Sequence, residues 1–293
     1  MSEYHGRFAP SPTGPLHFGS LLAAVASYLD ARAHQGRWSV RIEDLDPPRE
    51  DPTAADSILR ILDVYGLHWD GTVVRQSDRG DAYEQVLETL RQQGDAFPCA
   101  CSRKQLGDRL HQGICNTLRH DDVAWRFLCP SGTLTLHDGL QEDHTYDLQR
   151  DIGDFVIRRR DTLWSYQLAV VTDDAAQGIT HVVRGIDLID STARQYLLQQ
   201  ALGFTHPQYS HIPVATENNG QKLSKQNLAL PLTPENAGAV LFVALQWLGQ
   251  QPPTALQHAS CTELLDWGTE HWTPEVLRNR REHPAPEAFR RPG

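Results

Sequence analysis

Hydrophobic spacing sets the rhythm of the first third of the chain. Residues 4–9 form a short run that reads as a strand. From 16 to 35 the spacing turns helical, with Leu21, Leu22, Val25 and Leu29 recurring on one side. "WSVRIEDLD" (38–46) alternates with the period of a strand, and residues 53–65 and 80–93 return to helical spacing. Strand and helix alternating in this order predict a parallel sheet with crossover helices. Between 96 and 150 the rhythm breaks into short strand-like runs, "VAWRFLC" and "TLTL", without a long helix. It returns over 155–203 with "DFVIRR", helical "SYQLAVVTDDAAQ", "THVVRG" and helical "DSTARQYLLQQAL". A mainly helical segment follows "KLSKQN" (222–227) from about residue 234. The expected fold is α/β: a nucleotide-binding parallel sheet in two halves, with a module carried between them.

Composition narrows the function classes. The chain has 293 residues, 40% of them apolar, enough for two domains, or one large α/β domain with an insertion, around a substantial core. No apolar stretch is long enough to span a bilayer, and the N-terminus lacks the basic and apolar regions of a signal peptide. Five cysteines, three of them clustered, point to a reducing compartment and a metal site rather than a disulfide framework. A cytoplasmic protein is expected. The net charge of −10 does not announce a nucleic-acid binder, so any RNA footprint must be local. Arg158–Arg159–Arg160 and the Pro/Arg-rich tail (Arg278, Arg280, Arg281, Arg290, Arg291) are the candidate patches, with a solvated face as the plainer reading.

Two loops carry candidate chemistry. "FAPSPTGPLHFGS" (8–20) bends the chain between the first strand and the first helix. Its prolines stiffen the loop, and Gly14 permits a turn that other residues resist. The helix start offers N–H groups to an anion, His17 can donate a hydrogen bond there, and Gly19 leaves room for a flat base. A proline-rich loop with a capping histidine accounts for the same residues. "GQKLSKQN" (220–227) holds Lys222 and Lys225, able to close over a triphosphate and neutralise a departing pyrophosphate; a surface turn is its plainer reading. Within the module, Cys99 and Cys101 form CxC, and His111 precedes Cys115 by four residues. Three thiolates and an imidazole make a tetrahedral, structural Zn²⁺ site, unless the cysteines simply pack. Cys129 and Cys261 fall outside this set and are expected in the core.

Taken together, these motifs resemble those of class I aminoacyl-tRNA synthetases. "PLHFGS" is similar to their HxGH signature, with Ser20 in place of the final histidine. "KLSKQ" is similar to their KMSKS loop, with Gln226 departing from its serine. "RFAPSPTGPLHFGS" (7–20), "RIEDLDPPR" (41–49), "YQLAVVTDD" (166–174) and "VRGIDLIDST" (183–192) resemble the glutamyl branch. The resemblance implies a Rossmann-type catalytic domain over 1–95 and 151–205, a zinc-bearing insertion over 96–150, and a stem-contact-like domain over 206–293 holding the KLSKQ loop, with no anticodon-binding domain. It implies that the α-carboxylate of L-glutamate attacks the α-phosphate of ATP to give glutamyl-adenylate and pyrophosphate, with Mg²⁺ accompanying the nucleotide. His17 and Lys225 would contact the transition state, and His17, Gly19, Ser20, Lys222 and Lys225 would bind ATP. Arg7, Ser11, Glu43, Tyr166 and Arg184 would line the glutamate site, with the assignment of each arginine to a carboxylate left open. The family's zinc site has a tyrosine where His111 stands, and histidine is the better Zn²⁺ ligand.

The short length after the lysine loop and the CxC module resemble those members of the branch that activate glutamate without tRNA and transfer it to queuosine at the wobble position of tRNA(Asp). The anticodon arm of tRNA(Asp) would then be the partner, met by a monomer. A truncated enzyme esterifying the 3′ end of tRNA(Glu), and a non-catalytic zinc-bearing RNA-binding module, are the alternatives.

Overall fold

The computed structural model describes residues 3–101, 103–106, 110–114, 123–217, 220–223 and 231–290. Strand β1 (His5–Phe8) is buried along its whole length and leads through the proline corner into α1 (Phe18–Ala33). The chain returns as β2 (Arg37–Ile42), crosses over α2 (Ala54–Val64) and adds β3 (Val74–Arg75). β1 pairs parallel with β2, and β2 pairs parallel with β3. After α3 (Gly80–Gln93) the module begins with β4 (Ala96–Cys99) and the single turn α4 (Arg103–Leu106). Strands β5 (Ala124–Phe127), β6 (Thr133–Leu136), β7 (His144–Asp147) and β8 (Phe155–Arg158) follow.

Helix α5 (Tyr166–Gln177) leads to β9 (His181–Gly185), and α6 (Ile189–Leu202) leads to β10 (Gln208–Ile212). β9 and β10 pair parallel, and β9 lies beside β1, where the Thr180 N–H donates to the His5 carbonyl at 2.9 Å. The parallel strands therefore stand in the order β3, β2, β1, β9, β10. The chain order reverses between β1 and β9, and ligands of such sheets lie outside the strand ends at that point. The central strands are buried on both faces, as a parallel sheet clothed by helices requires.

"DFVIRR", which the spacing places at the return of the α/β rhythm, forms β8 and pairs antiparallel with β5, in the order β4-β5-β8. β6 and β7 make a separate antiparallel hairpin. Phe127, Cys129, Tyr146, Leu148 and Ile152 share a hydrophobic core with Tyr83 and Leu87 of α3, Leu168 of α5 and Leu197 of α6. A period-two run reports a strand but not the direction of its neighbour, which is why "DFVIRR" alone could not reveal this pairing.

Beyond β11 (Val214–Thr216), α7 (Ala237–Trp247) and α8 (Cys261–Glu270) pack on α1. A capping box starts α8: Ser260 Oγ accepts from the Glu263 N–H, and the Glu263 carboxylate accepts from the Ser260 N–H at 2.8 Å. Leu241, Leu245 and Leu264 join Leu21, Leu22 and Leu29 in the main core. The Pro/Arg-rich tail is less helical than its setting suggests. It supplies β12 (Glu282–Pro284), parallel to β11, buries Ala285 and stacks Phe289 on Phe18 at 4.2 Å. Arg291 lies outside the described residues. Among the described residues no helix is long and apolar enough to cross a membrane.

Candidate active site and metal centre

The proline corner holds His17 just ahead of α1. Gly14 has a φ of 140°, with Pro15 directly after it and Pro12 two residues before. His17 is the helix N-cap: its Nδ1 accepts from the Ser20 N–H at 3.4 Å. An accepting Nδ1 assigns the ring proton to Nε2, so the imidazole donates from its far side. Gly19 gives room to this ring, because a Cβ there would lie 3.1 Å from His17 Cε1 and 3.5 Å from the Leu223 carbonyl.

A cavity of about 480 Å³ opens beside the corner. Arg7, Ser11, His17, Gly19, Ser20, Glu43, Tyr166, Arg184 and Lys222, nine residues singled out by the motifs, all line it. Lys222 Nζ donates to Asp187 Oδ2 at 2.6 Å across its rim. Lys225 and Gln226 lie outside the described residues. A larger cleft of about 1510 Å³ shares Ser11, Glu43, Tyr166 and Lys222 with this cavity and runs toward the module past Arg126, Arg159, Arg160 and Trp164.

The charged floor of the site is a buried lattice. Arg7 Nε donates to Asp174 Oδ1 at 3.5 Å. Arg41 Nη1 lies 2.7 Å from the same oxygen, and Arg41 Nη2 donates to Glu43 Oε1 at 3.4 Å. Asp173 accepts from Arg79 Nε at 3.0 Å, the Tyr83 hydroxyl at 2.7 Å and Gln76 Nε2 at 2.9 Å. Burial opposes ionisation of Asp174, but Arg41 and Arg7 outweigh it and hold the carboxyl below its ordinary range. Burial is the stronger influence on Glu43, raising its pKa against the pull of Arg41 and Arg7. Glu43 thus lacks full compensation for its charge, a condition that an arriving cation would relieve.

Arg184 is held on several sides. Its Nε donates to His211 Nε2 at 3.1 Å, and its Nη2 to Thr192 Oγ1 at 2.9 Å and the Leu188 carbonyl at 3.3 Å. Its Nη1 donates to the Tyr166 hydroxyl at 3.4 Å. Burial raises the pKa of Tyr166, keeping this phenol protonated and able to donate.

In the module, Cys99, Cys101 and His111 bring their ligand atoms within 4.8 Å of one another. Cys99 Sγ lies 3.4 Å from His111 Nε2, and His111 Nδ1 lies 2.9 Å from Asp154 Oδ2. The carboxylate turns Nε2 toward the thiols as an acceptor, the arrangement that prepares a histidine for metal ligation. The donor set fits a thiolate-loving cation. Cys115, the expected fourth ligand, lies outside the described residues. Cys129 is a core residue whose thiol is pushed up to about 11, chiefly by burial; Cys261 is partly buried at the start of α8.

A family model described as tRNA synthetases class I (E and Q), catalytic domain, matches residues 3–124 and 116–236. The chain belongs to this synthetase family. Within the class I glutamyl/glutaminyl family, the chain is 52% identical over 280 residues to the Glutamyl-Q tRNA(Asp) synthetase of Pseudomonas fluorescens, covering 94% of each chain. It is 53% identical over 275 residues to the Glutamyl-Q tRNA(Asp) synthetase of Pseudomonas aeruginosa, covering 92% of this chain and 94% of that one. Among solved structures, glutamate-tRNA synthetase from Elizabethkingia anophelis matches with a TM-score of 0.81 at 22% identity, over 98% of this chain and 69% of that one. This last likeness is one of synthetase fold.

Arg41, Asp173 and Asp174 were not among the expected site residues, although all three stand inside the motifs quoted above. A signal existed: Arg41 and Glu43 are two apart at the end of one strand, and two adjacent aspartates follow the apolar run 168–171 in a helix. His211 and Asp138 carried no comparable signal.

Proposed function

We propose that this synthetase activates L-glutamate with ATP, without needing tRNA, and transfers the glutamyl group to queuosine at the wobble position of tRNA(Asp). The observation that carries this reading is the convergence of Arg7, Glu43, Tyr166 and Arg184 with His17 and Lys222 on one cavity. Glutamate has one ammonium and two carboxylates. Glu43 pairs with the ammonium, while Arg7, Arg184 and Tyr166 supply donors for carboxylates and Ser11 a hydroxyl nearby.

In the first step an α-carboxylate oxygen of glutamate attacks the α-phosphorus of ATP. The bond to the bridging oxygen breaks, and pyrophosphate leaves. Positioning and charge stabilisation suffice, and no protein nucleophile takes part. His17 Nε2–H donates to a phosphate oxygen, Gly19 and Ser20 border the nucleotide, and Lys222 and Lys225 neutralise charge on the leaving pyrophosphate. Mg²⁺ arriving with ATP supplies further screening of the phosphates. In the second step a hydroxyl of queuosine attacks the glutamyl carbonyl carbon and AMP leaves.

The larger cleft suits an anticodon arm, with Arg49, Arg126, Arg159 and Arg160 among its lining cations and the half-buried Trp164 ring beside them. Cys99, Cys101 and His111, with Cys115 as the expected fourth ligand, would hold Zn²⁺, which would supply a structural cross-link within the module. The protein acts as a monomer.

The test is glutamate-dependent ATP–pyrophosphate exchange without tRNA, followed by glutamate transfer to queuosine-containing and queuosine-free tRNA(Asp). Exchange and transfer to the queuosine-containing tRNA alone are expected. Esterification of the 3′ end of tRNA(Glu) would instead mark a truncated glutamyl-tRNA synthetase, and absence of exchange a non-catalytic module.

A further inference from the structure

The module reaches the glutamate site through a chain of buried polar groups. Asp138 lies in the connection between β6 and β7. Its Oδ1 accepts from the backbone N–H groups of Leu140, Gln141 and His211 at 3.0, 3.0 and 3.1 Å. Its Oδ2 is hydrogen-bonded to His211 Nδ1. His211, on β10, is completely buried. Its other ring nitrogen, Nε2, accepts from Arg184 Nε.

Chemistry assigns the protons along this chain. A guanidinium nitrogen only donates, so His211 Nε2 must be the unprotonated nitrogen. The proton then sits on Nδ1, where a carboxylate accepts it. Burial lowers the His211 pKa first of all, against the pull of Asp138, so the ring stays neutral as this pairing demands. Four hydrogen bonds to protein acceptors thus engage Arg184: His211, Tyr166, Leu188 and Thr192. The guanidinium is fixed in plane and rotation.

We propose that Asp138 and His211 are positioning residues for glutamate recognition: Asp138 selects the His211 tautomer, and His211 orients Arg184 toward a substrate carboxylate. The inference rests on the proposed role of Arg184 in the site. It also gives the module a task beyond holding metal or RNA, since Asp138 is a module residue acting on substrate binding through the sheet.

The experiment measures KM for glutamate and for ATP in pyrophosphate exchange, alongside thermal unfolding, for four variants. Asp138→Asn keeps an oxygen for the three backbone N–H groups and presents an NH₂ to the ring. It thereby forces the proton onto Nε2, against the Arg184 donor. Glutamate KM is expected to rise about 10- to 100-fold, the worth of a hydrogen bond to a charged group, while KM for ATP changes less than about twofold. His211→Gln, able to donate to Asp138 and accept from Arg184, is expected to retain more glutamate affinity than His211→Leu. Arg184→Lys tests the underlying reading and is expected to raise glutamate KM at least as far as Asp138→Asn.

Unchanged glutamate KM in Asp138→Asn, with Arg184→Lys impaired, would overturn the positioning role while sparing Arg184. Unchanged glutamate KM in Arg184→Lys would overturn both. A parallel rise in both KM values with lowered thermal stability would mean packing alone and also defeat the proposal. Should Asp138→Asn fail to fold, equal impairment of His211→Gln and His211→Leu at equal stability would do the same.

Discussion

Arg41 Nη1 lies 2.7 Å from Asp174 Oδ1, with the two side chains 0% and 4% exposed. The pair joins β2 to α5 beneath the cavity, and Arg7 shares the same carboxylate. Burial disfavours charge on Arg41, yet Asp174, Glu43 and Asp173 outweigh it and raise the guanidinium pKa. Removing one partner strands the others without water. Arg41→Ala is expected to destabilise the protein by about 3–5 kcal/mol, read as a lower urea midpoint with loss of pyrophosphate exchange.

With Glu43 pairing to the glutamate ammonium as proposed, an acid limit on activity is expected. Burial raises its pKa in the free protein, and only its ionised form pairs with an ammonium. As pH falls through that raised pKa, kcat/KM for glutamate falls, at a higher pH than an ordinary carboxylate would dictate. Glu43→Gln is expected to abolish this limb and raise glutamate KM by about 10- to 100-fold at neutral pH. A profile of unchanged shape in the variant would exclude Glu43 as its source.

The metal centre predicts one zinc per chain by elemental analysis. Cys99→Ser or prolonged chelation is expected to release it and lower the unfolding temperature. Asp154→Asn is expected to weaken metal affinity by about 10- to 100-fold, because Asp154 orients His111 rather than binding the ion itself. Full zinc retention in Cys99→Ser would remove this thiol from the ligand set.

The two lysines of the loop separate by effect. Lys222 is half exposed and paired with Asp187, so Lys222→Ala is expected to leave stability within about 0.5 kcal/mol of the parent. Any rise in its KM for ATP then reports phosphate contact. Lys225→Ala is expected to lower kcat of exchange by about 10²–10³ with an unchanged circular dichroism spectrum.

Legibility followed locality. The corner, "RIEDLD", "VRGIDL" and the CxC pair are contiguous, so each could be singled out as a motif, and the family resemblance then supplied the chemistry expected of it. The lattice below them is not contiguous: Arg7, Arg41 and Asp174 meet across three elements. Their own motifs contained them, but a charged residue in a motif looks the same whether it faces substrate or another charge. Asp138 and His211 are separated by 73 residues and meet only because the β6–β7 connection folds over β10.

The order of strands and helices was legible in the sequence alone, since periodicity expresses local backbone geometry, and the grouping of Cys99, Cys101 and His111 followed from residue type; the nucleotide-site motifs were legible through their resemblance to a known family. Which strand lies beside which, the antiparallel placement of β8, and the identity of the acceptor behind Arg184 were decided only by the tertiary structure. The reason is physical: a buried guanidinium must find acceptors wherever the packed chain brings them, and that distance in space leaves no regular trace along the sequence.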